Sequence, residues 1–524
     1  MITADLTLSG GGMATTIVEA NANPGVAQFT VLERIRPALS CTVSSGSGGR
    51  GAGRRAASSE PGATTRTSSE SVTRRPVAVM IGLLAVAGFV GLATLRLRRS
   101  PLPAPGIRPH VVLVTLDTER ADHTSAYGYP RPTTPRLEAI ATEGTRFATA
   151  YTAIPSTGPS HAGLFTSRYP SEHGVLKNGD VLAATPAALA DVLAGAGYAT
   201  AAFVSAYPVA RKFGYARGFA TFDDAFTAAD ASIVLDEWEG ERVASAGFDR
   251  RADATTARAL AWLDGVPRER PVFLWVHYYD PHEPYDPPPA YRNVLGGADG
   301  AIAAYDAEIR FADESLGHLI DAVDRNLGAR DTLLVVASDH GEGLMQHGWM
   351  GHGANLYEEL VRTVLVVRRP GNVRVQRVDA PVGLIDVAPT ILGHVAIDGF
   401  DARGVDLAAT LRDGATPATD RPLFFQRRLY QPGTRSDLPV RGAMHGVRVG
   451  TWKYIETAAT APELFDLAGD PGETRNLAGR EPARAAELAG VLRAWRAAQP
   501  RHDGSDRALS ADDTRRLRAL GYVE

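Results

Sequence analysis

Ionisable side chains follow three apolar runs of the sequence, each at the point where the run ends. They are Asp117 after residues 110–116, His277, Asp280 and His282 after residues 272–276, and Asp339 and His340 after residues 332–337. Short β-branched runs predict buried parallel strands, and open α/β sheets bind ligands beyond the carboxyl ends of such strands. An aspartate beside a histidine offers a hard oxygen and an imidazole to a divalent cation. The spacing therefore predicts a metal site at one edge of a sheet, although Asp117 alone could equally cap the next turn.

A second stretch that could do chemistry is rich in hydroxyl side chains. It lies at residues 154–168 and has the sequence I-P-S-T-G-P-S-H-A-G-L-F-T-S-R. Pro159 suits the first position of a helix, where its missing N–H costs nothing. Thr157 or Gly158 would then be the N-cap. A helix N-terminus favours an oxyanion, but a plain helix cap remains the alternative for this segment alone. Together with the three strand ends, the stretch predicts a metal-centred anion site containing Thr157.

Loops between the predicted elements hold further candidates. Two histidines and an aspartate at 277–282 lie on a loop stiffened by prolines, which favours a functional role over a structural one. His347 and His352 stand among glycines, and Gly341 leaves room for a sharp turn and a ligand. Lys177 and Asn178 could reach the ligand or form a solvated loop.

The remaining pattern predicts the elements that position these residues. Apolar spacing indicates helices at 133–144, 185–196, 252–264 and 305–323 and a further strand at 198–205. A length of 524 residues predicts one large α/β domain or two domains. Hydrophobic content of 44% and charged content of 22% are ordinary for a globular protein.

Charge and cysteine content exclude some classes of function. The net charge is −4, but residues 1–100 hold eleven arginines against five acidic residues, so the rest of the chain is acidic. An acidic body argues against a general nucleic-acid binder. Cys41 is the single cysteine, so there is no intramolecular disulfide and no cysteine nucleophile in the body.

The first hundred residues predict a membrane anchor rather than part of the catalytic body. Residues 43–75 have few apolar side chains and predict disorder, and 1–76 as a whole is interpreted as a disordered or miscalled extension. Residues 77–95 are uncharged and span roughly 28 Å as a helix, close to a bilayer core. Arginines flank both ends, which favours a retained signal anchor over a buried soluble helix. The catalytic body is then expected outside the cytoplasm, on the periplasmic or extracellular side, after a proline-rich linker at 100–109.

The motifs of residues 108–524 resemble the sulfatase branch of the alkaline phosphatase superfamily. They are L-D-T-E-R-A-D-H at 116–123, P-S-T-G-P-S-H-A-G-L-F-T-S-R at 155–168, W-V-H-Y-Y-D-P-H-E-P-Y at 275–285, S-D-H-G-E-G-L at 338–344, H-G-W-M-G-H-G-A-N-L-Y-E-E at 347–359 and E-L-F-D-L-A-G-D-P-G-E-T-R-N-L-A at 463–478. The resemblance implies an α/β fold with a large, mostly parallel central sheet flanked by helices, at 110–420. It also implies a small C-terminal subdomain at 421–524, with an antiparallel sheet whose closing strands fall in 439–480.

The resemblance also implies the roles of individual residues. One divalent metal (Ca, Mn or Zn, with a second cation left open) would be held by Asp117, Thr157, Asp339 and His340. Thr157, His282 and His352 would be catalytic, and substrate would contact His161, Lys177, His277 and His347. Three positions depart from the family: Thr118 replaces the second metal-binding Asp, His161 an Arg and His352 a Lys.

The nucleophile position departs as well. Sulfatases carry there a Cys or Ser that is oxidised to formylglycine, whereas Thr157 cannot form that aldehyde. A metal-activated threonine instead favours phosphate mono- or diesters, in a small anionic or a lipid or glycan substrate. Three alternatives stay open: a genuine sulfatase acting without formylglycine, a membrane-anchored phospho-headgroup transferase, and a non-catalytic binding domain.

Overall fold

The computed structural model describes residues 108–227, 249–266, 269–296, 300–371, 375–427 and 442–500, with Ser510, Asp513, Thr514 and Leu517, and the backbone of the strands at 2–34 and 237–242. The predicted disordered segment at 43–75, the predicted anchor at 77–95 and residues 100–107 of the predicted linker lie outside the described residues. The chain forms two compact units, Met1–Gly91 and Leu92–Glu524. In the first unit, Ile2–Leu8, Gly12–Asn23 and Val26–Arg34 form an antiparallel sheet.

The strands and helices are numbered in chain order. The strands are β1 Ile2–Leu8, β2 Gly12–Asn23, β3 Val26–Arg34, β4 His110–Leu116, β5 Thr145–Phe147, β6 Ala150–Tyr151, β7 Ala199–Val204, β8 Thr221–Asp223, β9 Glu237–Trp238, β10 Glu241–Arg242, β11 Val272–Tyr278, β12 Thr332–Ser338, β13 Gly343–Leu344, β14 Met350–Gly351, β15 Arg362–Thr363, β16 Leu365–Arg368, β17 Gln376–Val378, β18 Val382–Gly383, β19 Leu423–Gln426, β20 Met444–Val449, β21 Trp452–Thr457 and β22 Glu463–Asp466. The α-helices are α1 Pro135–Ala141, α2 Thr157–Thr166, α3 Pro170–His173, α4 Leu189–Gly195, α5 Ala252–Gly265, α6 Ala301–Val323, α7 Glu358–Val361, α8 Val387–His394, α9 Ala408–Asp413 and α10 Pro482–Ala498.

The central sheet of the second unit has eight strands in the order β17-β5-β16-β12-β4-β11-β7-β8. β12, β4, β11, β7 and β8 pair in parallel, and β16 runs antiparallel to both of its neighbours. The mostly parallel α/β fold expected from the sequence is therefore confirmed. β4 is central, which explains why it is a continuous apolar run rather than an alternating one.

Helices cover both faces of this sheet. Val111 and Leu113 of β4 face a core shared with α2, α4, α8 and α9, and Val112 and Val114 face a second core shared with α1, α5 and α6. All four side chains are fully buried, and each such burial contributes about 1.5–3 kcal/mol to folding. The two cores hold β4, β11 and β12 rigidly, so their carboxyl ends are fixed platforms.

A small antiparallel sheet in the order β19-β20-β21-β22 follows, as the family resemblance implied. Leu488 and Leu492 of α10 pack on Val447, Tyr454 and Leu464 of this sheet. Its other face shares a core with Tyr151, Leu356 and Val361 of the preceding α/β region. Residues 439–441 of the predicted closing region lie outside the described residues.

Besides β12, which extends one residue beyond the predicted strand to Ser338, two predicted boundaries near the site differ from the structure. The helix at the hydroxyl-rich stretch begins at Thr157, and the extended Ser156 is its N-cap, so the prediction of Thr157 or Gly158 as N-cap is wrong. The N–H groups of the first helical turn have no carbonyl partner within the helix, so proline, which lacks an N–H, is tolerated throughout that turn. The helix can therefore begin before Pro159. The second correction concerns β11, which continues to Tyr278 and therefore includes His277 in the strand rather than in the following loop.

The sequence also predicts a membrane-spanning helix. None of the helices in the described residues combines the length and apolar character needed to cross a membrane.

Candidate active site

Strand register brings the predicted metal ligands together at one edge of the central sheet. Leu116, the last residue of β4, pairs with Ser338 at the end of β12. The next residues, Asp117 and Asp339, are therefore level, and the Asp339 N–H donates to the Leu116 carbonyl at 3.1 Å. His340 follows directly. The side chains of Asp117, Asp339 and His340 are fully buried, and their ligand atoms lie within 4.8 Å of one another.

His340 is presented in the form that binds a metal. Its Nδ1 lies 2.9 Å from the Gly341 carbonyl and must donate there, which leaves a lone pair on Nε2. That Nε2 lies 3.5 Å from Asp339 Oδ2 and 3.7 Å from Asp117 Oδ1. Gly341 leaves room for backbone rather than for a ligand, contrary to the sequence interpretation, because an added Cβ would lie 1.9 Å from the Glu359 carbonyl oxygen.

Thr157 completes the cluster from the first turn of α2. Its Oγ1 lies 3.5 Å from Asp117 Oδ1 and 3.4 Å from His340 Nε2. Two contacts hold the helix end in place: the Ser160 hydroxyl donates to the Asp339 carbonyl at 2.7 Å, and the Gly158 N–H donates to Asn178 Oδ1 at 2.7 Å. The hydroxyl therefore faces the metal-binding groups on a rigid element.

His161, which stands where the family has an arginine, is engaged with the protein at both ring nitrogens. Nδ1 donates to the Thr157 carbonyl at 2.7 Å, and Nε2 accepts from Thr115 Oγ1 at 2.9 Å. The Thr115 oxygen accepts from Trp275 Nε1 in turn, which fixes the direction of the chain of hydrogen bonds. This arrangement orients the Thr157 turn and leaves His161 no ring nitrogen for a substrate.

His277 faces the same side of the sheet as Asp117. It pairs with Thr115 in the β11–β4 register, and side chains two positions apart share a face, so Thr115, Asp117 and His277 do too. Its Nε2 lies 3.5 Å from Asp117 Oδ2. The ring is fully buried, and neither nitrogen has a hydrogen-bond partner in the described part of the chain.

His282 and His352 form the outer wall of the site. The ring of His352 lies 4.6 Å from that of His340 and 4.9 Å from that of His282, measured between centroids. His282 stacks on Tyr279 at 4.4 Å and its Nδ1 contacts the Tyr279 hydroxyl at 2.8 Å. His352 Nδ1 lies 3.3 Å from Oε1 of the fully buried Glu342. Sequence reasoning missed Glu342, although its place two residues after His340 was an available signal.

Three other candidates are not brought to this cluster. His347 stacks on Tyr357 at 3.8 Å and binds Glu359 Oε1 at 2.7 Å and the Glu473 carbonyl at 3.4 Å. Asp280 accepts the first N–H of α5 from Ala252. Within the described ranges, the ammonium group of Lys177 has no hydrogen bond or ion pair to a site residue, whereas its neighbour Asn178 contacts the Thr157 turn.

The electrostatic environment of Asp117, Asp339 and His340 favours a bound cation. Burial raises the pKa of both Asp117 and Asp339 well above the usual carboxyl value, and nearby negative charge adds to it, from Glu342 at Asp117 and from Asp117 at Asp339. Burial lowers the pKa of His340, so its imidazole is neutral and can ligate. Two buried carboxylates this close are unfavourable unless a positive charge neutralises them, and a bound divalent ion does so. Asp117 Oδ2 and Asp339 Oδ2 also lack hydrogen-bond partners among the described residues, so the donor set fits a divalent metal.

We expect a divalent metal to stabilise the protein more at alkaline than at acidic pH. The folded-state pKa values of Asp117 and Asp339 are raised, so without metal the stability that comes from their protonated forms is lost as pH rises through those values. Metal binding needs the deprotonated carboxylates and replaces that stability. Thermal unfolding of chelator-treated protein, with and without added Mn²⁺ or Zn²⁺, should show a larger rise in Tm near pH 8 than at about pH 5.5. Equal rises at both pH values would contradict the argument.

Comparisons with known proteins agree with this geometry. A family model described as sulfatase matches residues 109–397, more than half of the chain. An uncharacterized sulfatase, YidJ, from Escherichia coli (strain K12) is 24% identical over 422 residues, covering 71% of this chain and 83% of its own length.

Solved structures show the same fold. One determined in complex with its substrate D-glucosamine-2-N,6-O-disulfate aligns with a TM-score of 0.65 at 19% identity, covering 76% of this chain and 100% of that one. The phosphonate monoester hydrolase of Agrobacterium radiobacter aligns with a TM-score of 0.57 at 22% identity, covering 74% and 96%. The chain therefore belongs to the sulfatase family of the alkaline phosphatase superfamily, a family of metal-dependent hydrolases that act on ester bonds.

Proposed function

We propose that this sulfatase-family hydrolase cleaves phosphate mono- or diesters through a covalent ester on Thr157. The observation that carries the proposal is the position of Thr157 Oγ1, 3.5 Å from Asp117 Oδ1 and 3.4 Å from His340 Nε2 at a helix N-terminus. Asp117, Asp339 and His340 would hold a divalent ion, which would supply charge neutralisation and lower the pKa of the hydroxyl.

The residue type at position 157 favours phosphorus over sulfur. A formylglycine hydrate can release sulfate by returning to the aldehyde, and a threonine ester has no such exit. In the proposed reaction the Thr157 oxygen bonds to phosphorus as the bond to the leaving alcohol breaks. Water then attacks the phosphorus of the Thr157 ester, which restores the hydroxyl and releases phosphate or its monoester. The family's phosphonate monoester hydrolase supports the idea that this fold serves phosphorus chemistry.

His352 is the best-placed group to protonate the leaving oxygen. Its Nδ1 is paired with Glu342 Oε1 at 3.3 Å, which turns Nε2 away from the carboxyl group, and the ring faces His340 and His282. A histidine held by a carboxylate is a common general acid–base unit. Tyr279 and the Glu283 carbonyl orient His282 through Nδ1, and in the proposed reaction His282 contacts the transferring group.

We expect His352→Ala to slow esters of poor leaving groups far more than esters of good ones. Protonation by a positioned acid contributes about 10²- to 10⁴-fold, and an alcohol of high pKa needs all of it. Rates for a series of aryl and alkyl phosphate esters should therefore depend more steeply on leaving-group pKa in the variant. His318→Ala, which removes a surface histidine of α6, is the matched control. A variant slope equal to that of the wild type would remove His352 from the acid role.

One substrate panel tests the proposed function. Metal-loaded wild type and Thr157→Ala are assayed on an aryl sulfate, an aryl phosphate monoester and an aryl phosphodiester that share one leaving group. We expect phosphate turnover to exceed sulfate turnover in the wild type and to disappear in the variant. Sulfate turnover that survives the substitution would rule out the Thr157 mechanism and favour a sulfatase acting without formylglycine.

A phospho-headgroup transferase is the second candidate. The observation that favours it is the uncharged run at 77–95, which would anchor the catalytic body at a membrane, outside the cytoplasm. A lipid or glycan hydroxyl would then replace water in resolving the Thr157 ester. Product formation that requires an added acceptor alcohol distinguishes the transferase from the hydrolase.

A further inference from the structure

His352, the proposed general acid, lies on a stretch of backbone that does not fix its own position. Gly351 and Gly353 flank it with φ values of 83° and 82°, in the left-handed region that glycine enters at no steric cost. Extending the register of the β13–β14 hairpin by one pair places Glu342 opposite His352, and this pairing orients the ring. The place of the ring in the site therefore depends on what holds the following segment, residues 353–358.

Side chains of the small C-terminal subdomain hold that segment. Arg427, directly after β19, donates from Nη1 to the Ala354 carbonyl at 3.1 Å. Lys453 of β21 donates to Glu358 Oε1 at 3.0 Å. Glu473, in the loop after β22, accepts the backbone N–H of Glu358. Both ends of the segment are therefore attached to the C-terminal subdomain.

Glu473 also holds the chain on the other side of His352. Its carbonyl lies 3.4 Å from Nε2 of His347, a residue of the hairpin loop, and the His347 ring stacks on Tyr357 at 3.8 Å between centroids. The loop of Glu473 thus contacts the hairpin before His352 and the segment after it. A shift of this loop would move both sides of the acid together.

The charges around this loop are placed at a cost in stability. Lys453 is fully buried, with its ammonium group 3.0 Å from Glu358 Oε1 and 2.9 Å from Glu473 Oε1. Buried ion pairs of this kind often stabilise a protein less than apolar residues of similar volume would. Glu473 itself has a φ of 51°, a strained conformation for a residue other than glycine. These features therefore favour a role in positioning over a role in stability.

We propose that Lys453 and Glu473 are positioning residues that hold His352 where it can protonate the leaving oxygen. They act on His352 through the backbone on either side of it, so the C-terminal subdomain controls the proton transfer and leaves the attack by the nucleophile unchanged. The inference rests on the acid role of His352 in the proposed function, but it depends neither on the ester class nor on Thr157 as the nucleophile.

The test measures leaving-group dependence in the metal-loaded full chain. Wild type and Lys453→Met are assayed on a series of aryl and alkyl esters of the class that the wild type cleaves fastest. We expect Lys453→Met to slow esters of poor leaving groups by about 10- to 100-fold, because a small misplacement of a catalytic group has an effect of that size. Esters of good leaving groups, which need no proton, should slow by less than about 2-fold. Arg480→Met, at an exposed position of the same subdomain, is the matched control.

A double variant separates positioning from a general effect on folding. If Lys453 acts through His352, Lys453→Met should change the leaving-group dependence no further once His352→Ala has removed the acid. An undiminished effect in the double variant would overturn the proposal. So would a Lys453→Met single variant that loses nothing, or that loses equally for good and poor leaving groups.

Glu473→Gln keeps the test decisive if Lys453→Met folds poorly. Glutamine retains an oxygen for the Glu358 N–H but removes the charge that pairs with Lys453, so the same selective loss is expected. Wild-type leaving-group dependence in Glu473→Gln would then overturn the proposal.

Failure of the proposed function gives a different result. Turnover that survives Thr157→Ala would remove the covalent mechanism and leave this inference standing. A wild-type slope in His352→Ala would instead remove the acid role and this inference together.

Discussion

Thr157→Ala is expected to abolish phosphate ester turnover, lowering kcat by on the order of 10⁴-fold or more, as loss of a covalent nucleophile does elsewhere. The physical reason is that Thr157 Oγ1 is the hydroxyl that faces Asp117 and His340 from a rigid helix start. In the same helical turn, the Ser160 hydroxyl is committed to the Asp339 carbonyl and therefore does not replace it. Steady-state and single-turnover kinetics with an aryl phosphate measure the loss.

Controls separate chemistry from folding in this variant. Thr157→Ser keeps a hydroxyl and should keep part of the activity, and Thr142→Ala, at an exposed position, should keep all of it. Metal affinity should fall much less than activity in Thr157→Ala, because the two carboxylates and His340 remain. Substantial turnover by Thr157→Ala that is still metal-dependent would mean that water attacks the substrate directly.

Asp339→Asn is expected to have opposite effects on activity and on the stability of the metal-free protein. Asparagine keeps an oxygen to accept the N–H groups of Thr118 and His340, but it removes one of two buried negative charges. Activity should fall by about 10³-fold or more, because the metal loses a charged ligand worth several kcal/mol in the transition state.

The metal-free form of Asp339→Asn should nevertheless unfold at a higher temperature than metal-free wild type near neutral pH. The wild-type carboxyl has a raised pKa, caused by burial and then by Asp117, so its ionised form destabilises the folded state. Calorimetry of both proteins after chelation measures the difference. A metal-free variant less stable than the wild type would show that Asp339 serves folding and not only the metal. Asp331→Asn, at an exposed site, is the matched control.

The sequence predicted the first residues of β4, β11 and β12 correctly, because each of these strands begins with an apolar run. β4 was predicted to the residue, and Asp117 and Asp339 follow from the parallel register of β4 and β12. Strand boundaries were predicted less accurately where a polar side chain interrupts the apolar pattern. His277 is polar and looked like a loop residue, yet β11 continues through it because its backbone pairs with Thr115 and Val204.

The sequence pattern could not predict residue roles that depend on partners distant in sequence. His161, His347 and Lys177 looked equally able to contact a substrate, and only the fold shows that the rings of His161 and His347 are occupied by protein groups. Glu342 escaped notice because its partner His352 is ten positions away with no local periodicity to relate them. The strand ends and the Thr157 stretch therefore predicted which residues come together, and tertiary contacts are needed to distinguish their surroundings.

The most direct test of the central claim is to trap the covalent ester. Metal-loaded wild type is mixed with an aryl phosphate, quenched in acid within one turnover, digested and analysed by mass spectrometry. We expect phosphothreonine at position 157, phosphoserine there in Thr157→Ser, and no modified residue in Thr157→Ala. Turnover that leaves Thr157 unmodified at every quench time, or modification of a different residue, would contradict it.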